Sequence, residues 1–206
     1  ISKPKKRPII IIKRAGRPRY DSEGQKIVTR YMCLRFFSYL WKLYNFRMKR
    51  IALFPGSFDP FTRGHQSLVD SALRLFDEVI IAVGDNVAKR GLLDIGARKR
   101  LIADLYADNE RVSVTSYTTL TGEFARKEGA CAIIRGVRNA SDFDFERSIE
   151  AVNRQLFPEL TTVILVAPSH LTHISSSVVR ELLAFGHDVN DFMPEGIDIQ
   201  KYIVKN

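Results

Sequence analysis

From Met48 onward the chain carries short apolar runs at recurring intervals: "RIALF" at 50–54, "EVIIAVG" at 78–84, "RVSVTSY" at 111–117, "CAIIRG" at 131–136 and "TTVILVA" at 161–167. Runs of this length and composition predict strands. Between them the period changes. Leu68, Val69, Ala72, Leu75 and Phe76 fall on one face of a helix, and similar stripes recur over 95–106, 142–157 and 175–185. Strand and helix therefore alternate, which calls for right-handed crossovers and a parallel sheet covered on both faces. The expected fold class is α/β, a doubly wound parallel five-stranded sheet with C-terminal helices. The near-continuous apolar strands agree, because a parallel sheet is buried on both sides.

In such a sheet ligands bind beyond the carboxyl ends of the strands. That rule singles out the loops 55–63, 85–93, 136–141 and 168–175. The first belongs to "FPGSFDPFTRGHQSLV" at 54–69. Gly56 and Gly64 there permit close backbone approach or positive φ, and the prolines stiffen the turn. Ser57 and Thr62 offer hydroxyls, and His65 falls in the first helical turn, where free N–H groups and the helix dipole favour an anion. The plainer reading is a stiff turn in which Thr62 or Asp59 caps a helix. The last loop, "HLTHISSSVVRELL", sets Ser175, Ser176 and Ser177 in succession at a helix start, with Arg180 one turn on. Three serines exceed what capping requires, and together they suit phosphate oxygens. The other two loops supply charge: Lys89 and Arg90 after the second strand, and Arg135 and Arg138 around Gly136 after the fourth, followed by Asp142, Asp144 and Glu146. Arginine's planar fork matches phosphate oxygens, while lysine acts as a point charge.

The net charge of +9 suggests a nucleic-acid or membrane-surface partner until it is divided along the chain. Residues 1–47 hold 13 Lys and Arg against two acids, whereas residues 48–206 hold 19 against 21. The excess sits wholly in the first segment, and neither nucleic acid nor membrane is expected as a partner of the remainder. Three readings of residues 1–47 stay open: a basic tail, a targeting segment, or sequence read from upstream of a start at Met48. The break in composition at Met48 favours the last, with 1–47 a non-native or disordered extension and 48–206 the domain. The two cysteines, Cys33 and Cys131, fit neither a disulfide framework nor a metal-ligand spacing, so a reducing cytoplasm is expected. No run of eighteen apolar residues occurs.

"PGSFDPFTRGH" resembles the nucleotidyltransferase signature with a TxGH core, and "ISSSVVR" resembles its C-terminal partner motif. With "IRGVR" and the following "DFDFE", the pattern narrows to the bacterial phosphopantetheine adenylyltransferases, over a stretch running from about Met48 to the C-terminal helices. The resemblance implies a Rossmann-like nucleotidyltransferase fold and the reaction of ATP with 4′-phosphopantetheine, using Mg²⁺, to give dephospho-coenzyme A and pyrophosphate. It also implies a homohexamer and coenzyme A as a feedback ligand. By the same resemblance His65 contacts ATP phosphate and stabilises the transition state, donating as neutral imidazole or as imidazolium. Ser57, Phe58, Gly136, Val137, Arg138, Glu146, Leu171, Thr172, His173, Ile174, Ser175, Ser176 and Ser177 match ATP-binding positions. Ser57, Lys89, Thr121 and Arg135 match positions that hold the acceptor. Arg63 departs from the asparagine usual in the signature, and Thr121 from a larger apolar residue. The rival readings are another adenylyl- or cytidylyltransferase with a different phosphorylated acceptor, and a non-catalytic nucleotide- or nucleic-acid-binding module. A P-loop kinase is disfavoured, since no G-x-x-x-x-G-K-[ST] occurs.

Overall fold

Five strands form one sheet: β1 (Ile51–Gly56), β2 (Glu78–Gly84), β3 (Val112–Tyr117), β4 (Ala132–Val137) and β5 (Thr161–Val166). This computed structural model describes residues 49–85 and 91–203. The spatial order is β3-β2-β1-β4-β5 and every neighbouring pair is parallel. The chain thus winds outward from β1 through β2 to β3, then returns past β1 to build β4 and β5. Winding reverses between β1 and β4, and such a switch point opens a crevice at the carboxyl edge. The expected α/β doubly wound sheet is the fold observed.

Helices α1 (Arg63–Ala72), α2 (Ile95–Leu105), α3 (Thr121–Lys127), α4 (Ala140–Leu156) and α5 (Ser176–Ala184) follow the five strands in turn. Successive strand residues point to opposite faces. Ala52, Phe54, Val79, Ile81 and Val83 accordingly join one core with Leu68 and Val69 of α1, Leu101 and Ile102 of α2 and Val179 of α5. Leu53, Ile80, Ala82 and Ile133 face the other way and pack with Phe124 and Ala125 of α3. The helix starts at the carboxyl edge carry short polar caps: Asp94 accepts from the Ala97 N–H at 2.7 Å, Asn139 from Asp142 at 2.9 Å and Ser175 from Val178 at 3.2 Å.

Three features differ from the sequence reading. Helix α3 was not expected: seven residues are too short to display a period, and Gly122 reads as a loop residue. A Cβ on Gly122 would lie 2.1 Å from the Phe157 ring, so its bareness serves packing. The stripe over 142–157 is helical, but none of the 17 residues of α4 is buried. Phe145 is 61% and Val152 55% exposed, with Phe143, Ile149 and Leu156 beside them. The run 161–167 is not enclosed on both faces either, because β5 is an edge strand whose Val166 is 74% exposed.

Candidate active site

At the switch point a cleft of about 640 Å³ is lined from β1 and α1 by Gly56, Ser57, Phe58 and His65. Arg135, Gly136, Arg138, Asp142 and Glu146 line it from β4 and α4, and Leu171, Ile174, Ser175, Ser176, Ser177 and Arg180 from the segment after β5. Local chemistry fixes the first wall. Phe58 adopts a φ of 47°, turning its ring back over β1, and a Cβ on Gly56 would meet that ring at 2.7 Å. Glycine at 56 is therefore required by close approach. Gly64 is not: its Cβ would find nothing nearer than 3.5 Å, and its φ is not positive.

His65 is the third residue of α1. The backbone N–H of its cap residue Thr62 donates to His65 Nδ1 at 3.0 Å, and Thr62 Oγ1 lies 3.0 Å from the same nitrogen. An Nδ1 that accepts a hydrogen bond leaves the proton of a neutral ring on Nε2. The rings of Phe58, Phe61 and Phe54 surround the imidazole at 5.2, 5.3 and 6.4 Å. Burial among them, and secondarily the positive charge of Arg138, pushes the imidazole pKa down to about 4. At neutral pH His65 is an uncharged donor through Nε2.

The three serines divide their work. Ser175 caps α5, Ser176 Oγ donates to the Pro60 carbonyl at 2.8 Å, and Ser177 Oγ accepts from Arg180 Nη2 at 3.1 Å. Arg180 Nη1 also donates to the Asp59 carbonyl at 2.6 Å. Helix α5 is thereby tied to the loop after β1. The arginines after β4 are paired with carboxylates of α4: Arg135 Nη2 reaches Glu146 at 2.8 Å, and Arg138 Nε reaches Asp142 at 2.9 Å. Hydrogen bonds from the Arg138 side chain hold the Asp142 carboxyl below its usual range.

A second cleft adjoins the first and shares Ser57 and Arg135 with it. Its other walls are Gly84 and Asp85 after β2 and Tyr117–Thr121 after β3, with the Tyr117 hydroxyl 2.9 Å from Thr121 Oγ1. A smaller, mainly apolar hollow of Leu120, Thr121, Ile149, Val152, Leu156 and Phe157 continues from it past Arg135.

The structure thus gathers most of the sequence-selected residues at one edge. Val137, Thr172 and His173 stand apart from the cleft lining: Val137 is buried, Thr172 Oγ1 bonds the Ser169 carbonyl at 2.9 Å, and His173 meets Phe192 edge-on at 6.1 Å. Lys89 and Arg90 lie outside the described residues. Tyr117 and Arg180 were not selected as ligand contacts, although Tyr117 ends a strand at the predicted edge. Arg63, unexplained by sequence, turns from the cleft and donates to the Asp191 carbonyl at 3.2 Å.

A family model described as cytidylyltransferase-like matches residues 53–182. The chain is 50% identical over 148 residues to the phosphopantetheine adenylyltransferase of Porphyromonas gingivalis, covering 72% of this chain and 96% of that protein. To the enzyme of the same name from Latilactobacillus sakei it is 49% identical, covering 73% and 92%. Among solved structures, a putative nicotinate-nucleotide adenylyltransferase from Vibrio parahaemolyticus superposes with a TM-score of 0.53 at 20% identity, covering 76% of this chain and 99% of that one. A bifunctional NMN adenylyltransferase/ADP ribose pyrophosphatase from Francisella tularensis superposes at 0.56 with 18% identity, covering 71% and 45%. Likeness at that identity speaks for the fold.

Proposed function

The chain belongs to the phosphopantetheine adenylyltransferases, nucleotidyltransferases of coenzyme A synthesis, and from that premise we propose how its residues divide the transfer of the adenylyl group from ATP to 4′-phosphopantetheine. The observation that carries the division is that two adjoining clefts share Ser57 and Arg135, with His65 in the first alone. We assign ATP to the cleft of His65, Arg138 and the serines, and the acceptor phosphate to the neighbouring cleft. The apolar hollow beyond Thr121 suits the uncharged pantetheine arm. The acceptor phosphate attacks the α-phosphorus in line, a P–O bond forms, and the bond to the leaving pyrophosphate breaks. A phosphate monoester is already ionised at neutral pH, so no strong base is needed. Catalysis rests on alignment and on donors aimed at the charged phosphoryl oxygens. Neutral His65, donating from Nε2, fits that role, with Ser57 and Arg135 at the junction of the two substrates.

Among the described residues no group of three or more His, Cys, Asp or Glu is placed to hold a metal. Mg²⁺ entering with the nucleotide would be carried mainly by the triphosphate oxygens and water, its usual mode with nucleotides. There it would supply neutralisation of phosphate charge, with Asp142 and Glu146 the nearby carboxylates of the cleft. We also propose a homo-oligomer, hexameric as the family resemblance implies, supported by the exposed apolar face of α4. Coenzyme A as a feedback ligand would enter the same pair of clefts as its precursors. No helix among the described residues is long and apolar enough to cross a membrane, and we place the reaction in the cytoplasm.

The test is pyrophosphate release on mixing the protein with ATP, Mg²⁺ and 4′-phosphopantetheine, against CTP and other phosphorylated acceptors. Release with CTP but not ATP, or with another acceptor alone, overturns the assignment. Lys89, which the sequence places just after β2, is proposed to hold the acceptor phosphate. Lys89→Ala should raise the KM for phosphopantetheine by about tenfold or more, a charge-assisted contact being worth roughly 1.5–3 kcal/mol. An unchanged KM removes it from the site.

A further inference from the structure

One buried charged pair stands behind the site without lining it. Asp59 is 5% and Arg98 9% exposed, and Arg98 Nε lies 3.5 Å from Asp59 Oδ1. Their shorter bonds go elsewhere. The two Asp59 carboxylate oxygens accept the backbone N–H groups of Leu92 and Leu93, each at 2.9 Å. Arg98 Nε donates to the Leu93 carbonyl at 2.8 Å and Nη1 to the Ser57 carbonyl at 3.3 Å. A Cβ on Gly91 would sit 2.1 Å from Arg98 Nη2 and 2.6 Å from Asp59 Oδ2, so the chain passes the pair at closest approach. Buried ion pairs repay little of their desolvation as stability, so what this one contributes is geometry.

The geometry is directional. Asp59 and Arg98 tie the β1 loop, at Ser57, to the chain that leads from β2 into α2. Those two strand ends lie side by side along the second cleft, which Pro55–Ser57 line together with Gly84 and Asp85, and Pro55–Ser57 line the first cleft as well. The same loop is held to α5 by different atoms, the Asp59 and Pro60 carbonyls, through Arg180 and Ser176. The loop is thus tied on one side toward α2 and on the other to α5.

We propose that Asp59 and Arg98 are positioning residues that fix Ser57 at the junction of the two clefts. The inference rests on the assignment of the acceptor to the second cleft. Asp59→Asn keeps the shape but sets an NH2 donor against one of the two N–H groups, and Arg98→Lys cannot reach both carbonyls from one planar fork. Both variants should raise the KM for phosphopantetheine by about fivefold or more while the Kd for ATP, measured by calorimetry, stays within about twofold, because the first cleft keeps its lining from β4, α4 and α5 and its own tie through Arg180 and Ser176. Should Asp59→Asn fail to fold, Gly91→Ala disturbs the pair while keeping both charges, and the same split is expected. A general loss of structure would instead raise both constants together or lower the melting temperature with no split. Either result, or an unchanged KM for the acceptor in folded Arg98→Lys and Gly91→Ala, overturns the proposal. If the unsubstituted protein itself releases no pyrophosphate with phosphopantetheine, the underlying assignment fails instead.

Discussion

The imidazole of His65 is held neutral by its surroundings, and this has a consequence for pH. Unfolded, the ring takes up a proton below about pH 6.5; folded, it does so only near pH 4. Across that window the unfolded chain binds more protons, so stability falls as pH falls from 6.5 to 4. The full shift corresponds to about 3 kcal/mol, less whatever the partly open ring recovers from solvent. His65→Gln should flatten that part of the curve, as read from urea unfolding at pH 7, 5.5 and 4.5; an unchanged slope would mean that the ring titrates normally. For activity, His65→Ala should lower kcat by about 10²–10³-fold with little change in ATP affinity, because a donor aimed at developing charge acts in the transition state. Near-normal turnover in single-turnover assays would take His65 out of the mechanism. Which nitrogen carries the proton follows from the Thr62 N–H, a bond made by the helix cap.

Among the elements, α3 is the shortest helix and is held by a narrow fit. Gly122 meets the Phe157 ring, the Arg126 guanidinium lies 5.1 Å from the centroid of the same ring, and Phe124 stacks on Tyr117 at 5.0 Å. Gly122→Ala gains helix propensity but forces the ring to move, and overpacking of this kind costs about 1–3 kcal/mol. A denaturant midpoint lowered accordingly is expected, whereas a stabilised protein would show that Phe157 has room to yield. Helix α5 makes a different use of its sequence. Its three serines looked like one donor cluster, yet each has its own partner, and only one is the cap. Gly136 likewise has a packing reason: a Cβ would lie 2.2 Å from Leu68 Cδ1, so the Leu68 side chain could not keep its place against β4.

At the scale of the whole molecule, the described residues leave an apolar stripe exposed along α4. If copies of the chain bury it, Phe143→Glu should break the assembly without unfolding the subunit, since Phe143 lines neither cleft. Sedimentation velocity should then report a hexamer for the unsubstituted protein and smaller species for the variant. A monomer in both cases rules out the proposed assembly. The division of charge bears on the same scale, because the cationic excess belongs to residues 1–47, outside the described residues.

Sequence by itself determined the alternation of strand and helix, since burial in a parallel sheet demands continuous apolar runs and packing on it demands a helical stripe. It also marked the carboxyl edge as the candidate site, because special residues cluster where crossover loops leave the strands. Ser57, His65, Arg135, Arg138 and the serine run could be picked out because glycines, phosphate-type donors and arginines are costly or idle elsewhere. What it could not contain were contacts between residues far apart in the chain. The apolar stripe of α4 reads the same whether its partner is this chain or another. Asp59 read as a cap because its partners, Leu92, Leu93 and Arg98, are more than thirty positions away. The place of Arg63 beside Asp191, and the neutrality of His65 among three phenyl rings, were decided only when the sheet brought those groups together. Periodicity is a local property of a chain; desolvation and pairing of charges are properties of the packed molecule.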